Sequence, residues 1–106
     1  MSVPDIKGLL ETARRIQDEV AKVREALGAK TVTGETGGGL VRCIANGKGE
    51  IVSITIDPSI VGDQRMVEDL TVGAVNLALE RARELAQAEL NAATGGLPLP
   101  PGLFGS

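Results

Sequence analysis

Leu40-Val41-Arg42-Cys43-Ile44-Ala45-Asn46-Gly47-Lys48-Gly49-Glu50-Ile51-Val52-Ser53-Ile54-Thr55-Ile56 decides the fold. Two β-prone runs, residues 40–45 and 50–56, flank Asn46-Gly47, the dipeptide that most readily supplies two positive φ values. The natural reading is an antiparallel hairpin. Side chains alternate between faces of a strand, so Val41, Cys43, Ala45, Val52, Ile54 and Ile56 share one face. Leu40, Arg42, Ile44, Ile51, Ser53 and Thr55 take the other. The first face is assigned to the core, and a register slip of two residues leaves it unchanged. Upstream, Thr31-Val32-Thr33 forms a third short strand, separated from the hairpin by the glycine-rich segment Gly34-Glu35-Thr36-Gly37-Gly38-Gly39.

Helices bracket these strands. Ile6, Leu9, Ala13, Ile16, Val20, Val23 and Leu27 follow three- and four-residue steps, which predicts a helix over 6–27. Asp5 caps its start, and Gly28 stands where a left-handed C-cap is usual. After the turn Asp57-Pro58-Ser59 and Gly62, a second helix spans about 65–92. Leu70, Ala74, Ala78, Ala82, Ala86 and Leu90 recur every four residues along it, a ridge of small side chains that another helix could approach closely. Beyond residue 93 the chain is rich in Pro and Gly, which divides it into a domain over 1–93 and a tail over 94–106.

Helices of more than twenty residues reach roughly 30 Å, whereas six-residue strands span about 20 Å. The helices therefore overshoot the sheet, and their apolar stripes call for a partner surface. A homodimer with projecting helical arms is expected.

The 106 residues allow one core, and 42% hydrophobic with 24% charged residues is ordinary globular usage. Eleven basic against fourteen acidic residues give a net charge of −3. The chain has no His, so imidazole acid-base catalysis and His metal ligation are excluded. Its single cysteine, Cys43, forms no intramolecular disulfide and fits a reducing compartment. Trp and Tyr are absent and Phe104 is the one aromatic, which leaves no platform for stacking single-stranded bases. No membrane-spanning or targeting segment is legible, so a cytoplasmic location is expected.

Residues that invite sharper chemistry have simpler readings. The glycine cluster lacks the Lys-Ser/Thr of a phosphate loop, because Leu40 and Val41 follow Gly39. Asp57 reads as a turn cap, and Asp63, Glu68 and Asp69 suit a helix N-terminus rather than a metal site. Cys43 falls on the core face as an inert thiol, and Asn76 in the second helix is expected to bond a neighbouring loop. No enzyme, metal or cofactor is implied.

The basic residues remain. On the first helix Lys7, Arg14, Arg15 and Lys22 each have a carboxylate four residues away, the pattern of a self-paired solvated surface. Arg24 has none at helical spacing, and Lys30, Arg42 and Lys48 have no obvious local partner. On the second helix Arg81 and Arg83 flank the alanine ridge, with Glu80 and Glu84 near them. Dimerisation would duplicate each basic cluster.

The order Thr33-Gly34-Glu35-Thr36-Gly37-Gly38-Gly39-Leu40-Val41, Asn46-Gly47, Glu50-Ile51, Ile56-Asp57-Pro58, Glu68-Asp69-Leu70, Ala74, Asn76 and Ala78 resembles the YbaB/EbfC family of bacterial nucleoid-associated proteins. The tail from Thr94 to Gly102 is also similar to that family's ending. The resemblance implies an α+β subunit of order α-β-β-β-α and a tweezer-like homodimer. It further implies binding of duplex DNA, a place in the nucleoid, and effects on nucleoid organisation and gene expression. Joined to the charge reading, it makes Arg14, Arg15, Lys22, Arg24, Arg81 and Arg83 the expected phosphate contacts. The alternative is a protein-binding module using the arms or the tail leucines and Phe104.

Overall fold

The computed structural model describes residues 5–95. The order is α1 (Ile6–Leu27), β1 (Thr31–Thr36), β2 (Val41–Asn46), β3 (Ile51–Ile56), a 3-10 turn (Pro58–Ile60) and α2 (Gln64–Ala93). The three strands form one antiparallel sheet in the order β1-β2-β3. This is the expected α-β-β-β-α arrangement. The tail from residue 96 onward lies outside the described residues.

Local chemistry explains the boundaries. The Asp5 carboxylate accepts from Gly8 N–H at 2.9 Å and caps α1. Gly28 at the other end is right-handed, with φ −63°, which corrects the expected left-handed cap. The N–H groups of Gly28, Ala29 and Lys30 each reach back three residues, so a tightened last turn closes the helix without a positive φ. At α2, the Asp63 carboxylate accepts from Met66 N–H at 3.1 Å.

β1 runs three residues further than its sequence suggests, through Gly34-Glu35-Thr36. A Cβ on Gly34 would lie 2.5 Å from the Ala74 carbonyl oxygen and 2.6 Å from Ala78 N. Gly34 is therefore not a loop residue but the point where strand and helix backbones touch. At Ala74 and Ala78 the alanine ridge of α2 is met by this strand rather than by a second helix, and Ala74, Ala78 and Ala82 are all buried. Thr36 adds a clamp by donating its hydroxyl to the Leu70 carbonyl at 2.6 Å. The true turn is Gly37-Gly38-Gly39, all three at positive φ.

The hairpin forms, but not on an Asn-Gly pair of positive φ. Asn46 ends β2, its side-chain oxygen accepts from Lys48 N–H and Glu50 N–H, and Gly49 at φ +81° carries the left-handed conformation. The register also shifts: Ile44 faces Ser53, but Ala45 faces Ile51. Val52 is thus the extra residue of a β-bulge, and Ile51 replaces it opposite Ala45. The predicted face assignment of Val52 and Ile51 is corrected accordingly.

Val41, Cys43 and Ala45 pack with Ile60 and the α2 alanines into the core. Their β3 counterparts do not join them fully. α2 lies across β1 and β2 and touches β3 only lightly, so Val52 is 57% and Ile54 42% exposed. β3 is an apolar strand at a sheet edge. The N-terminal part of α1 is likewise unpartnered: Leu27 at its far end is its buried residue, whereas Leu9 is 65% exposed and Ile6, Leu10 and Ile16 also face solvent. The molecule is correspondingly long, 75 × 21 × 18 Å.

Candidate nucleic-acid interface

The last turns of α1 meet the second half of α2 beside the β2-β3 turn. Gly47 N–H donates to the carbonyls of Leu27 and Lys30, both at 2.9 Å, and a Cβ there would strike Leu27. This contact fixes the direction in which α1 leaves the body. Between the helices it leaves a cleft of about 850 Å³, walled by Ala21 and Leu27 on α1 and by Ala82, Ala86 and Leu90 on α2.

Three cations line this cleft: Arg24 from α1, Lys48 from the turn and Arg83 from α2. Their sequence separations hide the grouping. Arg24 and Arg83 were both legible as candidates, but Lys48 was not, because only the Gly47–Leu27 contact brings the turn to the helix. Glu25 also lines the cleft and pairs with Lys48 at 3.7 Å, both side chains remaining substantially exposed. Such a pair contributes little to stability and leaves the ammonium free to exchange partners.

The other expected contacts separate into two kinds. Arg14 and Arg15 are exposed on the projecting part of α1 and make no ion pair with another described residue. Lys22 pairs with Glu19 at 3.7 Å, three residues away, rather than with Asp18. The self-paired surface drawn from four-residue spacing therefore does not close. Arg81 is committed elsewhere, donating to the Thr33 carbonyl and so tying α2 to β1. The structure does not bring it into the cleft.

Three cations without obvious local partners find them through the fold. Lys30 bonds Glu89, Arg42 pairs with Glu35 across β1 and β2 at 2.9 Å, and Lys48 reaches Glu25. Asn76 is exposed and makes no hydrogen bond among the described residues, which corrects the expected loop contact.

Nothing in the site suggests bond-making chemistry. Cys43 is fully buried and burial pushes its thiol pKa up, away from the nucleophilic thiolate. Asp57 is held below its ordinary carboxylate value by hydrogen bonds from Ser59, the side chain first and the backbone N–H second. That is a turn cap. Among the described residues no group of three or more Cys, Asp or Glu is placed to hold a metal ion, and no helix is long and apolar enough to cross a membrane.

The geometry thus defines an α+β chain whose long helices frame a basic cleft. The model of the YbaB/EbfC DNA-binding family matches residues 1–97, and the chain belongs to that family. It is 43% identical over 102 residues to a protein named nucleoid-associated protein TTE0040 from Caldanaerobacter subterraneus, covering 94% of this chain and 91% of that one. It is 39% identical over 99 residues to nucleoid-associated protein BAV0915 of Bordetella avium, covering 92% of each. Among solved structures, the uncharacterized protein HP0035 from Helicobacter pylori matches with a TM-score of 0.70 at 26% identity, covering 92% of this chain and 99% of that one.

Proposed function

We propose that this chain is a nucleoid-associated protein that binds duplex DNA as a homodimer and influences nucleoid organisation and gene expression. The observation that carries the reading is the convergence of Arg24, Lys48 and Arg83 on one cleft in a protein of net charge −3. Cations gathered on one face of an acidic chain attract a polyanion locally while the remaining surface repels it. Arg14, Arg15 and Lys22 extend the contact along the exposed arm. Arg81 acts by holding the sheet to α2. With no aromatic residue in the described part of the chain, recognition rests on phosphates and DNA shape rather than on stacked bases.

A second copy supplies what the subunit lacks. β3 offers an unpaired edge with Ile51, Val52 and Ile54 exposed, and an edge of that kind pairs with another chain unless something covers it. Pairing there around a two-fold axis duplicates the cleft and sets two α1 arms on one assembly. In this reading residues 1–93 form the working domain.

The test is the triple substitution Arg24→Ala, Lys48→Ala, Arg83→Ala. Each lost phosphate contact lowers the log-log salt slope by about 0.9, so six contacts per dimer lower it by about 5. An unchanged slope in the folded variant would remove the cleft from the interface.

A further inference from the structure

We propose that the projecting part of α1 is a docking surface for the same part of α1 in a second copy, packed antiparallel, and that this contact links one DNA-bound dimer to another. The link between bound dimers rests on the DNA reading above. The pairing of the arms does not.

One apolar stripe runs along α1, at Ile6, Leu9, Ala13, Ile16, Val20, Val23 and Leu27. Its cover runs out along its length: Leu27 is buried, Val23 and Val20 are half-buried, and then Ile16 is 39%, Leu9 65% and Ile6 61% exposed. At the covered end the stripe meets α2, with Leu27 beside Ala82, Ala86 and Leu90. The open end therefore continues a seam that already packs against a helix. Its three- and four-residue steps are those of side chains that enter the gaps of another helix. A helix is the shape that fits.

The borders of the stripe select which helix. From Ile6 to Asp18 the charged residues are Lys7, Glu11, Arg14, Arg15 and Asp18, and at 100° per residue all five fall on the side away from the stripe. The bordering residues Leu10, Thr12 and Gln17 are uncharged. Charged borders choose between unlike partners, whereas two copies of a neutral border meet without repulsion. An antiparallel stagger sets Leu9 of one copy against Ala13 of the other, and Ile6 against Ile16, so large and small side chains interdigitate. Parallel arms would instead stack Ala13 on Ala13 and leave a gap. In the antiparallel pair Arg14 and Arg15 stay in solvent, where phosphate can reach them.

The area sets the strength. Ile6, Leu9, Leu10 and Ile16 each carry on the order of 100 Å² of removable apolar surface. Two arms then bury about 800 Å², half of the roughly 1,600 Å² of a standard interface. Free in solution the contact is weak. Dimers tethered side by side on DNA see one another at roughly millimolar local concentration, where a weak contact fills. It uses no residue of the β3 edge, so both contacts can form at once.

The experiment uses the full chain. Chains with Leu9→Cys are mixed with chains carrying Ala13→Cys and oxidised mildly; Cys43, fully buried, stays out of the reaction. The expected product is the mixed Leu9–Ala13 disulfide, well in excess of either like pair. No disulfide, or a dominant Leu9–Leu9 product, overturns the proposal. Light scattering of the unmodified protein should show a mass rising above that of two chains as concentration is raised, and a mass fixed at two chains also overturns it. Leu9→Gln with Ile16→Gln, which leaves the charge unchanged, should abolish that rise. The same variant should lose most of the capture of a fluorescent duplex by a second duplex held on beads, while binding a single duplex as the unmodified chain does. Arms that pair without holding two duplexes together would refute the DNA link and leave the pairing. Single-duplex binding without arm pairing would overturn the pairing and leave the DNA reading.

Discussion

Replacing Gly34 by Ala is the sharpest perturbation of the fold. The added Cβ would lie 2.5 Å from the Ala74 carbonyl oxygen and 2.6 Å from Ala78 N, both backbone atoms of α2. Neither atom can swing aside as a side chain does. β1 must therefore move away from α2, and the seam beneath it holds Val41, Cys43, Ala74 and Ala78, all fully buried. Overpacking of a filled core costs about 1–3 kcal/mol, and a clash with backbone sits at the upper end. A loss of about 2–3 kcal/mol lowers Tm by roughly 10–20 °C in a domain of this size. The comparison is Gly62→Ala, where nothing lies within 4 Å of the new Cβ and φ is not positive. There the smaller unfolded-state entropy predicts a neutral or slightly stabilising change. Both variants are melted by circular dichroism at one fixed protein concentration, because an oligomer's Tm depends on it. If Gly34→Ala melts within 2 °C of Gly62→Ala, on the order of the experimental error, the close strand–helix contact is not what holds the fold together.

Further predictions concern the cleft, the sheet edge and the turn. The triple cleft substitution described above lowers the salt dependence of DNA binding without lowering Tm by more than a few degrees, since its three cations contribute little to the core. Ile54→Asp puts a charge in the middle of the β3 edge, where the wild-type side chain is 42% exposed in a single subunit. Light scattering should then report a mass near 10.9 kDa in place of about twice that, with the subunit's circular dichroism retained. Asp57 has its pKa lowered by the Ser59 hydrogen bonds, so it favours the folded state when ionised. That contribution is full above the unfolded pKa and is lost as pH falls through the folded one. Asp57→Ala should accordingly lower Tm at pH 7, and the gap to wild type should close as the solution is acidified through the carboxylic range. A gap that is constant with pH would assign the effect to turn geometry alone.

The parts of this molecule that rest on local periodicity were legible in its sequence. The bounds of α1 follow from the three- and four-residue steps and from Asp5, and α2 departs by one residue at each end from its predicted span. What eluded local reading depended on contacts between distant segments. Gly34 looks like a strand breaker until α2 is laid against it. The bulge at Val52 depends on how Asn46 bonds Lys48 and Glu50, and one extra residue exchanges the faces of Val52 and Ile51. Exposure of β3 could not be foreseen from alternation, since a strand's pattern does not say how far a single covering helix extends.

The candidate site shows the same division. Arg24 and Arg83 stand out by charge and by position on the helices. Lys48 required the fold, because the Gly47–Leu27 contact joins segments twenty residues apart in the chain. Arg81 looked equivalent to Arg83 in sequence, yet two residues on a helix point about 200° apart, from 3.6 residues per turn. One meets the Thr33 carbonyl and the other the cleft.

The central claim is that an acidic chain grips duplex DNA through contacts to its phosphates. Fluorescence anisotropy of the purified wild-type protein against a labelled duplex, repeated across a series of salt concentrations, tests it most directly. The account predicts binding at low salt whose log-log slope against salt is steep, about −0.9 for each phosphate neutralised. Absence of binding at low salt, or binding with a slope near zero, would contradict it.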